Sequence, residues 1–184
     1  MILNATRVVT KEELATKNTT TTTKDGGGGG GENGGGELWL SILGEVYNVT
    51  AGRRYYGENA SYHVFAGRDG SAAFVTGNFT PEGAEVSLYE ALSPEELSQL
   101  ETWREFYAKE DKYPFVGVLE GELYDAEGKP TDEMRRVAEK MEEGKRKMEE
   151  RTRINREKAA ERKKAREEQK RLKEQQQQAA AEEL

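Results

Sequence analysis

The chain has 184 residues, a formal net charge of −7, no cysteine and one histidine. The missing cysteines exclude disulfides, iron–sulfur clusters, thiolate zinc sites and cysteine nucleophiles. A single histidine excludes a two-histidine metal site and weighs against a Ser-His-Asp triad. Hydrophobic residues make up 34% and charged residues another 34%, so one small core flanked by non-globular segments is expected. Residues 1–130 carry 21 acids and 11 bases, whereas residues 131–184 carry 14 acids and 17 bases. The acidic globular part argues against a nucleic-acid-binding face. No apolar run approaches the length of about 18 residues needed to span a bilayer, and M-I-L-N-A-T-R-V-V-T carries no signal-peptide apolar region.

Residues 7–17, R-V-V-T-K-E-E-L-A-T-K, read as a short strand and one or two helical turns. Thr10 and Glu13 form a capping-box pattern at the helix start. Residues 18–36 are rich in threonine and glycine and read as a flexible insertion, because nothing in them offsets the entropy of ordering. Residues 37–50, E-L-W-L-S-I-L-G-E-V-Y-N-V-T, hold two strands with a turn at Gly44-Glu45. A loop dense in tyrosine and arginine follows, and residues 66–77 and 86–108 are predicted largely helical. Ser93, Pro94 and Glu96 carry the N-terminal signature of the second helix. Leu97, Leu100, Trp103, Phe106 and Tyr107 recur at helical spacing and are expected in the core. K-Y-P-F-V-G-V-L-E-G-E-L-Y is an alternating strand with Pro114 at its start, and residues 125–130 form a turn that closes the domain. Residues 131–184 read as a charged helix with many i,i+3 and i,i+4 ion pairs. Its apolar seam of Met134, Val137, Met141 and Met148 is too short for a sustained coiled coil, so a solvated single helix with a frayed end is expected, with partner pairing as the second reading.

The loop between Arg53 and Arg68 gathers Tyr55, Tyr56, Tyr62, His63, Arg53, Arg54 and Arg68 within sixteen residues. Phenols beside guanidiniums suit a flat anionic aromatic ligand, or a metal that accepts a phenolate. Taken alone, Tyr55 reads as surface or core, His63 as solvent-facing, and Arg68 with Asp69 as a structural pair. Five sequons, at Asn4, Asn18, Asn48, Asn59 and Asn78, point weakly to a secretory route.

The segments T-K-E-E-L-A, L-W-L-S-I-L-G-E-V-Y-N-V-T and Y-Y-G-E-N-A-S-Y-H-V-F-A-G-R-D-G-S resemble, across residues 7–124, a cytochrome b5-like haem-binding domain of the membrane-associated progesterone receptor family. A-F-V-T-G-N-F, W-R-E-F-Y and Y-P-F-V-G-V-L-E-G-E-L-Y resemble its neuferricin group. The His-Pro-Gly-Gly signature of ordinary cytochromes b5 is absent, Asn48 stands where the family usually has aspartate, and the Y-G-E-N-A-S-Y loop lacks proline. The implied fold is α+β: a cytochrome b5-like domain formed by residues 1–17 and 37–130, interrupted by the 18–36 insertion and followed by the charged helix of 131–184. The implied cofactor is haem b, iron protoporphyrin IX, with Tyr62 as the axial metal ligand. The resemblance further implies Tyr56 as a hydrogen-bonding pocket phenol and Lys112 with Tyr113 at the haem edge. Arg53, Arg54 and Lys112 are candidates to pair with the propionates. A phenol titrates near 10, and ferric iron with nearby cations favours its phenolate.

The expected function is non-catalytic: haem binding that delivers or senses haem or modulates a protein partner, with a haem-mediated dimer allowed by the open iron face. The family resemblance suggests an endomembrane or secreted location. Two other classes stand beside it. One is an interaction protein acting through residues 131–184 with a vacant or sterol-binding pocket. The other is an electron-transfer cytochrome, against which the single histidine weighs. No nucleophile–base pair marks an enzyme.

Overall fold

A computed structural model describes residues 7–18, 36–78, 80 and 86–182, with side chains as far as residue 176. Most of the Thr/Gly-rich insertion predicted at 18–36 lies outside the described residues. The strands are β1 (Val8–Val9), β2 (Trp39–Ile42), β3 (Glu45–Asn48) and β4 (Phe115–Leu119). They form one mixed sheet in the order β1-β4-β3-β2, with β1 parallel to β4 and the other two pairs antiparallel. The β2–β3 hairpin turns at Leu43 and Gly44, whose φ values of 51° and 70° match the twist of the flanking strands. The turn therefore falls one residue earlier than the predicted Gly44-Glu45.

Strand alternation sorts the side chains into two layers. Trp39 and Val46 join Val9, Leu14 and Leu119 in a small cluster under α1 (Lys11–Ala15). Leu40, Ile42 and Tyr47 face the larger core with Leu97, Leu100 and Tyr107. Around it run α2 (Arg53–Tyr56), α3 (Ser71–Thr76), α4 (Leu88–Ala91) and α5 (Pro94–Lys109). Two short 3-10 turns, at Thr50–Gly52 and His63–Phe65, frame α2 and the loop after it.

The predicted helix starts are borne out in chemical detail. The Thr10 hydroxyl accepts from the Glu13 amide, while the Glu13 carboxylate pairs with Arg7 instead of closing the box. At α5 both halves of the box are present: Ser93 accepts from the Glu96 amide, and the Glu96 carboxylate accepts from the Ser93 amide at 2.8 Å. Asp125 accepts from the amides of Glu127 and Lys129, which fixes the predicted turn.

The final helix, α6 (Asp132–Glu182), serves two purposes. The compact unit extends to Lys145. Val137 and Met141 are buried in its larger core, and Lys140 donates to the Tyr89 carbonyl. Met134, Val137 and Met141 of the short apolar seam thus pack on the helix's own domain, where a solvated helix was expected, whereas Met148 is exposed. Residues 146–184 form a second unit. Its side chains are exposed through residue 176, and Arg153–Glu150, Lys163–Glu167 and Lys170–Glu174 pair along the helix. Among the described residues, no helix is long and apolar enough to cross a membrane.

Candidate functional site

The loop from Arg53 to Arg68 folds as α2, a turn, and the His63–Phe65 3-10 turn, which bring Tyr56 and Tyr62 to one side. Their ring centroids lie 6.3 Å apart. Tyr56 is buried, while Tyr62 is 44% exposed. Phe65 lies 5.9 Å from Tyr62 and stacks on Phe74 at 4.2 Å. Tyr113 lies 6.1 Å from Tyr56. Aromatic rings from α2, α3, α5 and the segment just before β4 therefore form one continuous wall with the half-exposed Tyr62 phenol beside it. Glycine at 52 allows two of these rings to meet: a Cβ there would sit 2.6 Å from the Tyr113 hydroxyl and 3.0 Å from the Tyr56 ring.

Trp103 and Phe106 correct the helix reading. They belong to the predicted core stripe, yet they are 43% and 40% exposed. Trp103 lies 5.6 Å from Phe74, and Phe106 lies 6.5 Å from Tyr113, so both extend the aromatic wall. Their half exposure could not be read from spacing, since a partly uncovered stripe has the same period as one facing a filled core.

The remaining candidates divide by position. Lys112 is exposed, pairs with Glu110 at 2.9 Å and lies 5.0 Å from the Tyr113 ring centroid. The Glu110 hydrogen bond holds the Lys112 ammonium above the usual lysine range. Arg54 is exposed with its guanidinium 4.4 Å over Tyr55. Arg53 donates through Nη2 to the Gly36 carbonyl, and its Nη1 is buried without a partner among the described residues. Tyr55 is 42% exposed, one of the two placements expected of it.

Two expectations fail. His63 is half-buried rather than solvent-facing, because its Nδ1–H donates to the Tyr56 carbonyl at 3.0 Å. This fixes the tautomer that leaves Nε2 as the acceptor. Arg68 and Asp69 are not a pair. Asp69 accepts from the Ser71 amide and from both serine hydroxyls, Ser41 and Ser71, while Arg68 Nε is buried and unpartnered among the described residues.

Behind the wall, Tyr107 escaped notice as anything but core. Its hydroxyl meets that of Tyr56 at 2.6 Å. Burial pushes the Tyr56 phenol up to about 12, with the Tyr107 hydrogen bond acting in the opposite direction. Burial also raises Tyr107 far above the ordinary phenol range. Both hydroxyls therefore keep their protons at neutral pH.

A separate cavity of about 510 Å³ opens among α1, the Gly67–Asp69 loop and residues 119–123, with no aromatic ring in its lining. It lacks the flat apolar walls and the phenol that the Tyr62 side offers. Among the described residues, no group of three or more His, Asp or Glu side chains could hold a metal ion.

An α+β domain with a mixed sheet, a helical cover and an aromatic wall behind an exposed phenol defines a cytochrome b5-like class. The family model described as Cytochrome b5-like Heme/Steroid binding domain matches residues 10–120, and the chain belongs to that family. Among curated proteins, a Caenorhabditis elegans "Neuferricin homolog" is 47% identical over 100 residues, covering 54% of this chain and 30% of the relative. An Arabidopsis thaliana "Membrane-associated progesterone-binding protein 4" is 46% identical over 96 residues, covering 52% of this chain and 38% of the relative. The chain thus spans about a third of the length of these relatives. A solved structure of an Arabidopsis thaliana hypothetical protein with a cytochrome b5 like fold is 30% identical, with a TM-score of 0.48, covering 64% of this chain and 94% of that one.

Proposed function

We propose that this domain binds haem b through the Tyr62 phenolate and acts as a non-catalytic haem protein of the neuferricin type, delivering or sensing haem or modulating a protein partner. The observation that carries the reading is the placement of Tyr62. It is a 44%-exposed phenol on an otherwise aromatic wall, between the rings of Tyr56 and Phe65.

The residues suit the group. Haem is a flat apolar ring system with two carboxylates and an iron that accepts tyrosinate. Trp103 and Phe106 supply half-exposed apolar faces, backed by Phe74 and the buried rings of Phe65 and Tyr113. Lys112 and Arg54 supply exposed cations for the propionates, and Arg53 is half-buried next to Arg54. Tyr56 keeps its proton and can donate it to a phenolate oxygen. When bound, the iron would supply Lewis acidity that holds Tyr62 deprotonated. Everything else follows from how the chain orients and shields that bond.

Titration of the full chain with hemin tests this reading. The expected result is one equivalent taken up, with a Soret band and the visible spectrum of a high-spin tyrosinate complex. A spectrum no different from free hemin would contradict it. So would uptake with an unaltered spectrum in Tyr62→Phe.

A further inference from the structure

We infer that Tyr107 is a positioning residue for the candidate site, its hydroxyl donating to Tyr56 and so leaving the Tyr56 proton for a further acceptor. The inference rests on the reading of Tyr62 as ligand. Tyr107 lies on α5 and is 2% exposed. Its ring is fixed by Tyr47 at 5.6 Å, Phe106 at 5.3 Å, Tyr113 at 5.7 Å and Phe74 at 5.8 Å. Its hydroxyl makes one hydrogen bond among the described residues, to the Tyr56 hydroxyl at 2.6 Å.

Two phenols can share that contact in two ways. If Tyr56 donates, the Tyr107 proton is left in a sealed core with no acceptor, and an unmade hydrogen bond there is costly. If Tyr107 donates, the Tyr56 proton remains for another acceptor, and Tyr56 is the phenol that stands beside Tyr62. The second arrangement satisfies the buried donor and leaves the Tyr56 proton for a further acceptor, on the phenol whose ring lies 6.3 Å from that of Tyr62. Tyr107 thus touches neither ligand nor metal, yet it sets which way Tyr56 donates. A hydrogen bond received by an axial phenolate withdraws charge from the iron, so the relay would raise the reduction potential relative to a chain without it.

The test is a double-substitution cycle on the hemin-loaded full chain, read by the visible charge-transfer band and by the reduction potential. Tyr107→Phe keeps the ring and removes only the oxygen. It should shift the band and lower the potential in the same direction as Tyr56→Phe. Adding Tyr107→Phe to Tyr56→Phe should change nothing further. The ligand-free protein gives a second readout: the Tyr56 Cζ carbon resonance should move on Tyr107→Phe. An unshifted band in Tyr107→Phe, additive effects of the two substitutions, or an unmoved Tyr56 resonance would overturn the inference. If Tyr62→Phe itself leaves the band as in wild type, the ligand reading fails instead, and the two failures are told apart.

Discussion

Gly144 of α6 lies directly on the carbonyl oxygen of Pro94 at the first turn of α5: a Cβ at residue 144 would sit 1.9 Å from that oxygen. Lys145, the next residue, reaches Glu101, about two turns further along α5, at 2.6 Å. The start of the long helix is therefore seated against the domain by backbone contact as well as by Val137 and Met141.

Gly144→Ala should accordingly destabilise the domain by about 1–3 kcal/mol, because the approach leaves no room for a methyl group. Met141→Ala should cost about 2–5 kcal/mol through the cavity it leaves. Deleting residues 146–184 should leave the denaturation midpoint almost unchanged, since those side chains are exposed through residue 176. Urea unfolding of the three variants followed by circular dichroism checks all three expectations.

The capping box of α5 predicts a pH dependence. Hydrogen bonds from the Ser93 amide and hydroxyl hold the Glu96 carboxyl below its ordinary range. A depressed carboxylate stabilises the folded state above its unfolded pKa, and that contribution fades as pH falls through the folded value. Ser93→Ala should cost about 0.5–2 kcal/mol at neutral pH. The gap between wild type and variant should narrow in acid, as measured by unfolding midpoints at pH 7 and pH 3.

Much of this architecture was legible in the chain. The box at Ser93 and Glu96, the strand after Pro114 and the turn at Asp125 all announce themselves through local chemistry, and local chemistry survives folding. The division of α5 into buried Leu97, Leu100 and Tyr107 and half-exposed Trp103 and Phe106 does not, because it depends on which partner each ring meets. The partners of Asp69 were hidden for the same reason. Ser41 lies on β2, 28 residues earlier, and nothing local links the two. In the loop, the tyrosines drew attention by their density, but only the folded chain shows Tyr56 facing inward to Tyr107 and Tyr62 facing out.

Gly52 offers a test of the site that leaves its polar groups in place. Gly52→Ala would push a methyl group against the Tyr113 hydroxyl and the Tyr56 ring. Hemin retention should fall by about tenfold or more, while the stability cost should stay near the 1–3 kcal/mol of modest overpacking. Competition with an apo-haem acceptor protein, alongside thermal unfolding, separates the two effects.

Lys112 should act as a surface charge and no more. It is exposed and already paired with Glu110, so Lys112→Ala should weaken hemin binding only a few-fold, with most of the difference gone at high salt. Hemin titrations at low and high ionic strength would show it.

Resonance Raman spectroscopy of the ferric haem complex addresses the Tyr62 bond most directly. The wild-type chain should show phenolate ring modes enhanced through the iron–oxygen bond, and Tyr62→Phe should lack them and release its hemin readily. Persistence of those modes in Tyr62→Phe, or their absence from a wild-type complex that holds hemin firmly, would contradict the account.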